Sequence, residues 1–213
     1  MKIGGSDPYR DLLRFEYSLW DQGLEPVAGL DEVGRGCLAG PVVAAAVIFS
    51  PDVHISGVRD SKALSPEQRQ KLDSVIREKS LSYSVAQVGY SEIDQTNILK
   101  ASLKAMALAV DNLAFRPKAL LIDGNQYIPH VLPQKTIVKG DQRSLSIAAA
   151  SIIAKVFRDG LMEKMHRKYP RYNFAQNKGY ATQEHRKAIR LYGCCPIHRK
   201  TFKGVREYVK LDG

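Results

Sequence analysis

Val27-Ala28-Gly29-Leu30-Asp31-Glu32-Val33-Gly34-Arg35-Gly36-Cys37-Leu38-Ala39-Gly40-Pro41-Val42-Val43-Ala44-Ala45-Ala46-Val47-Ile48-Phe49 is the stretch on which the fold turns. Val27–Asp31 is a short apolar strand that runs into carboxylates and glycines. Pro41 leads into Val42–Phe49, an unbroken apolar run that reads as a buried strand and is too short to cross a bilayer.

The pattern continues on both sides. Upstream, Asp7, Pro8 and Gly23 predict a helix over 8–22. Downstream, the capping box Ser65-Pro66-Glu67-Gln68 predicts a helix over 66–79, and Leu81–Gly89 alternates as a strand does. Ser91 is positioned to cap one long helix whose apolar residues Leu99, Leu103, Met106, Val110 and Leu113 recur at spacings of four and three. Ala119–Gly124 and Lys135–Asp141 read as two further strands. A helix follows with Ile147, Ser151, Ala154, Phe157, Leu161 and Met165 near one face, and a last helix over 183–192 lies between Thr182 and Gly193. The order predicts an α/β protein, a mixed sheet followed by a mostly helical basic part over about 160–213. With no repeat or linker in the sequence, 1–213 reads as one unit opened by an N-terminal helix within about 1–25.

The 213 residues are 44% hydrophobic and 25% charged, which excludes a disordered chain. The start has no continuous apolar stretch of the kind a secretory signal needs. Three cysteines, two of them adjacent, make no disulfide framework and fit a reducing cytoplasm. Charge is uneven along the chain. Residues 1–149 hold 17 basic and 17 acidic side chains, whereas 150–213 hold 15 and 5, so the whole excess of +10 lies in the last third. Such asymmetry points to a polyanionic partner, most often a nucleic acid.

Three predicted strands run into acid: Asp31-Glu32, Asp123 and Asp141. Ligands collect at the carboxyl ends of strands in α/β sheets. Carboxylates brought together there repel one another, and a hard divalent cation such as Mg²⁺ or Mn²⁺ relieves the repulsion. Each acid also has an ordinary reading: Asp123-Gly124-Asn125 as a turn, Asp141 as an aid to a helix cap, Asp31-Glu32 as surface. Adjacent strand residues point to opposite faces, so Asp31 and Glu32 share an ion only if the strand ends or distorts there. Three acidic ends beside a basic flank suggest metal-assisted chemistry on phosphodiesters. Two nucleotide-binding look-alikes fail. Arg35 and Gly36 stand where a P-loop needs Lys and Ser or Thr, and Gly34-Arg35-Gly36 leads to Pro41 and a strand rather than a helix.

Leu30-Asp31-Glu32-Val33-Gly34-Arg35-Gly36 with Ala39-Gly40-Pro41-Val42-Val43 resembles the signature of bacterial ribonuclease HII. The resemblance continues through Asp60-Ser61-Lys62, Ile122-Asp123-Gly124-Asn125, Lys139-Gly140-Asp141, Ala149–Val156 with Arg158-Asp159, and Lys178-Gly179-Tyr180 with Thr182 and His185. It implies a ribonuclease H-like mixed five-stranded sheet flanked by helices, with a helical C-terminal extension. It also implies an endonuclease that cuts the RNA strand of RNA–DNA hybrids and cuts 5′ to ribonucleotides embedded in duplex DNA, leaving 3′-hydroxyl and 5′-phosphate ends. By the same resemblance Asp31, Glu32 and Asp123 hold Mg²⁺ or Mn²⁺, two ions during catalysis, and Asp141 is a fourth catalytic carboxylate. Gly34, Arg35 and Gly36 meet the ribose 2′-hydroxyl, Tyr180 packs on the adjacent sugar, and Lys62 positions a phosphate. A cytoplasmic monomer with neither membrane nor obligate protein partner is expected.

Other chemistry-bearing residues read as structural. Cys194, Cys195, His198 and His185 match no standard zinc spacing. His185 reads as a polar residue at a helix start, Asp159 as the ion-pair partner of neighbouring Arg158, and Lys155 as a stem covering apolar surface.

Overall fold

The computed structural model describes residues 11–58 and 64–209; Lys62, with Asp60 and Ser61, and the predicted start of the first helix lie outside them. Five strands form one sheet: β1 (Val27–Val33), β2 (Val42–Ile48), β3 (Ser82–Val88), β4 (Ala119–Asp123) and β5 (Gln134–Ile137). Their order across the sheet is β3-β2-β1-β4-β5. β2 pairs antiparallel with both β1 and β3, whereas β4 pairs parallel with β1 and β5. The sheet is therefore mixed, as the sequence predicts.

Helices cover both faces, which is why β2 is apolar throughout. Ala44, Ala46 and Ile48 face one helix, Ile98–Asp111, whose buried side includes Ala101, Ala105 and Ala109. Val43, Ala45 and Val47 face the opposite way, against the first half of Leu145–Lys168. Small side chains on both sides let the helices lie close to the sheet. At Gly29 no other residue fits, because a Cβ there would lie 2.3 Å from Ser146.

In chain order the helices are α1 (Arg14–Trp20), α2 (Pro66–Lys79), α3 (Tyr90–Gln95), α4 (Ile98–Asp111), α5 (Leu145–Lys168), α6 (Phe174–Asn177) and α7 (Gln183–Tyr192). α2 has its predicted capping box, with Gln68 N–H donating to Ser65 Oγ and Ser65 N–H to Gln68 Oε1. α7 also has its predicted limits, with His185 N–H donating to Thr182 Oγ1 and Gly193 at φ +74°. α1 is tied to the start of α5 by buried Glu16, whose Oε1 accepts from Ser144 Oγ, Ser146 Oγ and Ser146 N–H at 2.6–3.0 Å. A carboxylate there also faces the positive end of the α5 dipole.

Three expectations change. The single long helix after Ser91 is two helices, because Asn97, extended at φ −173°, caps α4 by accepting from Lys100 N–H. The predicted strand 135–141 stops at Ile137: Lys139 is left-handed at φ +56°, and Gly140–Gln142 is a 3₁₀ turn, so Asp141 lies beyond a strand end rather than on one. The face predicted for α5 is also not the one observed. Its first half is buried nearly all round, so no stripe stands out, and Phe157 is exposed.

Candidate active site

β1 and β4 run parallel with Leu30 opposite Ile122, so Asp31 and Asp123 stand at neighbouring strand ends. Strand alternation sends Ala28 and Leu30, with Leu120 and Ile122, to the α4 side; Asp31 and Asp123 therefore share the α5 side. β1 does not end at Asp31 as expected. It runs on through Glu32 and Val33, which pair with Ala44 and Val43 of β2. Glu32 thus begins on the opposite face from Asp31, yet both side chains line one open cleft of about 450 Å³.

The rest of the cleft is formed by Val33, Gly34, Arg35, Gly36, Arg69, Asp123, Ser151, Lys155 and Tyr180. Asp31 is buried. Burial, with the charges of Glu32 and Asp123, holds its carboxyl well above the ordinary carboxylate range, against the hydrogen bonds from Ser151 and Glu32 N–H (2.7 Å). Burial likewise raises Glu32, an effect Arg35 opposes through its ion pair at 3.2 Å. Asp123 Oδ1 accepts from Gly140 N–H at 2.6 Å, which ties β4 to the 3₁₀ turn. Among the described residues no three His, Cys, Asp or Glu side chains close around one metal position. The donor set still suits a hard divalent cation: three carboxylates on one cleft, one of them buried and raised by the other two.

Of the predicted site residues, Asp31, Glu32, Asp123, Gly34, Arg35, Gly36 and Tyr180 meet on this cleft. Asp141 does not line it; it is buried on the turn that follows Lys139. Three polar lining residues carried no functional reading in the sequence: Arg69, Ser151 and Lys155. Lys155 is more than a covering stem, since its Nζ pairs with Asp159 at 2.7 Å and lies 5.7 Å from the centre of the Tyr180 ring. The partners of Asp159 are Lys155 and Arg69, not Arg158, because consecutive helix residues do not face each other. Arg158 is instead fully buried, donating to the carbonyls of Ala39, Pro41 and Lys178.

His185 is also fully buried rather than a surface residue at a helix start. Its Nδ1 lies 2.8 Å from Tyr180 O and its Nε2 lies 3.0 Å from His198 Nε2. Cys195 N–H donates to His198 Nδ1 at 2.9 Å. With both rings neutral, one direction satisfies every atom: His198 Nε2–H donates to His185 Nε2, and His185 Nδ1–H donates to Tyr180 O. Burial lowers the pKa of both rings, that of His198 to about 4. The chain fixes the backbone beneath Tyr180 and reaches back to the segment after α7.

The family model described as Ribonuclease HII matches residues 28–205. A ribonuclease HII of Syntrophus aciditrophicus (strain SB) is 54% identical over 189 residues, 89% of each chain. One from Geobacter metallireducens is 52% identical over 200 residues, 94% of each. Among solved structures, the ribonuclease H2 of Pyrococcus horikoshii OT3 superposes with a TM-score of 0.72 at 30% identity, covering 85% of this chain and 96% of that one.

Proposed function

The chain belongs to the ribonuclease HII family and is a ribonuclease H acting on RNA–DNA hybrids; from that premise we propose that it also cuts 5′ to ribonucleotides embedded in duplex DNA, leaving 3′-hydroxyl and 5′-phosphate ends. The observation that carries this reading is the meeting, on one cleft, of strand-end carboxylates with an exposed glycine backbone. Carboxylates alone fit many nucleases. A backbone that a ribose can approach closely adds a means of reading the 2′-hydroxyl, the group that separates RNA from DNA at one position.

Asp31, Glu32 and Asp123 would hold Mg²⁺ or Mn²⁺, two ions during catalysis, supplying an activated water for attack and charge neutralisation at the leaving oxygen. The chain's own residues orient the substrate around that centre. Gly34, Arg35 and Gly36 receive the ribose, and the Tyr180 ring, 38% exposed, supports the neighbouring sugar. Lys155 and Arg69 line the wall beside Asp159 and present positive charge to the phosphates. Asp141, on the turn that Asp123 anchors, serves as the fourth catalytic carboxylate, and Lys62 as a phosphate contact. The protein acts as a monomer, and a reducing cytoplasm fits its three free cysteines.

Purified protein with Mg²⁺ should nick a duplex bearing one ribonucleotide at its 5′ side and leave the all-DNA duplex whole. Equal cutting of both duplexes would overturn the reading.

A further inference from the structure

Arg199 lies on the segment after α7, far in sequence from the cleft, and is fully buried. A buried guanidinium ordinarily has a carboxylate partner, but among the described residues Arg199 forms no ion pair. Its donors go to the main chain instead: Nη2 to Gly34 O at 2.7 Å, Nη1 to Arg35 O at 2.9 Å and Nε to Gly40 O at 3.0 Å. Its own N–H donates to Leu38 O at 2.8 Å, and the preceding His198 bridges to Ala39. One side chain therefore takes up the carbonyls at both ends of the turn from β1 to β2. Burial brings its pKa down to about 10, which leaves it charged at neutral pH.

The geometry of the peptide unit gives these bonds a consequence. In a planar trans peptide the C=O and the following N–H point in opposite directions. With the Gly34 carbonyl directed at Arg199, the Arg35 N–H is directed away from it; with the Arg35 carbonyl likewise held, so is the Gly36 N–H. Arg199 does not line the cleft, whereas Gly34, Arg35 and Gly36 do, so these amides face the cleft side. Neither has an acceptor within the protein's described backbone and side-chain hydrogen bonds. Two adjacent N–H groups fixed in this way suit a hydroxyl oxygen and offer nothing to a deoxyribose.

We propose that Arg199 is a positioning residue for ribose selection: by holding the Gly34 and Arg35 carbonyls inward it presents the Arg35 and Gly36 amides to the substrate 2′-hydroxyl. This rests on the proposed reading that the glycine turn meets the ribose.

The test compares affinity for a duplex carrying one ribonucleotide with affinity for the same all-DNA duplex, by fluorescence anisotropy with Ca²⁺ in place of Mg²⁺ to prevent turnover. Arg199→Lys keeps the charge but not the planar fork. It is expected to weaken binding of the ribonucleotide duplex by about tenfold, the value of one to two hydrogen bonds, and to leave all-DNA binding unchanged. Ile189→Ala removes packing from the same C-terminal cluster without touching the turn, and should lower thermal stability while keeping the wild-type affinity ratio. An Arg199→Lys protein with the wild-type ratio, or with equal losses on both duplexes, overturns the proposal. Should that variant not fold, Asp94→Ala takes its place. Asp94 accepts from Lys200 N–H and from Thr201 N–H and Oγ, immediately beyond Arg199. Its removal should lower the ratio by about threefold, on the order of one net hydrogen bond, and an unchanged ratio counts against Arg199. A wild-type protein with no preference would instead sink the underlying reading of the turn, an outcome visible before any variant is made.

Discussion

Gly34 and Gly36 stand two residues apart on the cleft, yet alanine should act on them in opposite ways. Gly34 has φ +96°, and a Cβ there would lie 2.3 Å from Arg158 Nε. An L-residue in that conformation costs about 1–2 kcal/mol. Relief of the clash means moving the buried Arg158 guanidinium, which holds Ala39 O, Pro41 O and Lys178 O at 2.8–3.2 Å. Hydrogen bonds from a charged donor are worth about 1.5–3 kcal/mol each, so with the loss of one or two the total comes to about 2.5–8 kcal/mol. A chain of this length loses about 2–4 °C of Tm per kcal/mol, and the Tm of Gly34→Ala should therefore fall by roughly 5–32 °C. At Gly36 nothing lies within 4 Å of a Cβ and φ is not left-handed. Gly36→Ala should keep or slightly raise Tm, by about 0.4–1 kcal/mol, because alanine has fewer unfolded conformations to lose. Its methyl group still projects where the ribose approaches, so KM for a ribonucleotide substrate should rise with the fold intact. Thermal and urea denaturation of both variants, followed by kinetics on Gly36→Ala, decide the matter. Equal destabilisation of the two, or a Gly34→Ala protein as stable as wild type, would refute the reasoning.

Three further outcomes follow from the site. Mg²⁺ or Mn²⁺ at a hundred times its Kd should stabilise the protein by about 2.7 kcal/mol, or roughly 5–11 °C in Tm. The gain should shrink as pH falls, since a carboxyl raised as Asp31 is must lose its proton to bind a cation, and it should vanish in Asp31→Asn. Asp123→Asn should abolish cleavage while retaining nucleic-acid binding by gel shift; equal loss of both would remove Asp123 from the chemistry. His198, held at about 4 by burial, contributes stability that is fully present above pH 6.5 and is lost as pH falls from there towards 4, about 3 kcal/mol in all. Asp31 and Glu32, both raised, act in the opposite sense at acid pH, so the ring is best observed directly: nitrogen-15 NMR at pH 5.5 should find His198 neutral, and a doubly protonated His198 would break the proposed chain.

Strand and cap signals carried most of the fold. The Ser65 capping box and the Thr182–Gly193 limits of the last helix were local, and local rules placed them. The errors arose where a side chain or a distant contact overruled the pattern. Asn97 divides a helix whose apolar spacing is continuous, and the Gly140 N–H bond to Asp123 holds a turn where a strand was expected. Within the site, Asp31, Asp123 and the glycine turn were legible because acids at the ends of apolar runs and clustered glycines are unusual. Arg69, Lys155 and Arg199 were not, since a lone basic residue in a basic chain carries no signal until the fold shows what surrounds it. Arg158 was misassigned for a related reason: an acid next to it suggested a pair, but the helix turns that acid towards Lys155 and Arg69.

The two halves of the charge pattern act at different ranges. The +10 of residues 150–213 acts over about a Debye length and draws a polyanion towards the protein. At contact the balance reverses wherever the three cleft carboxyls are ionised, since a phosphate is repelled by each charged one at about 4 kcal/mol per close pair in a surface-like dielectric. Arg35 offsets this only at Glu32, and Lys155 and Arg69 are already engaged with Asp159. The one net positive charge that Lys155 and Arg69 keep against Asp159 offsets this repulsion only in part. Burial disfavours the charged form of Asp31, so without a cation its proton relieves part of the repulsion, and that proton must leave before a metal can bind. A divalent ion held by these carboxylates would remove both repulsions at once, carboxylate against carboxylate and carboxylate against phosphate, and would so help to seat the scissile phosphate as well as to cut beside it.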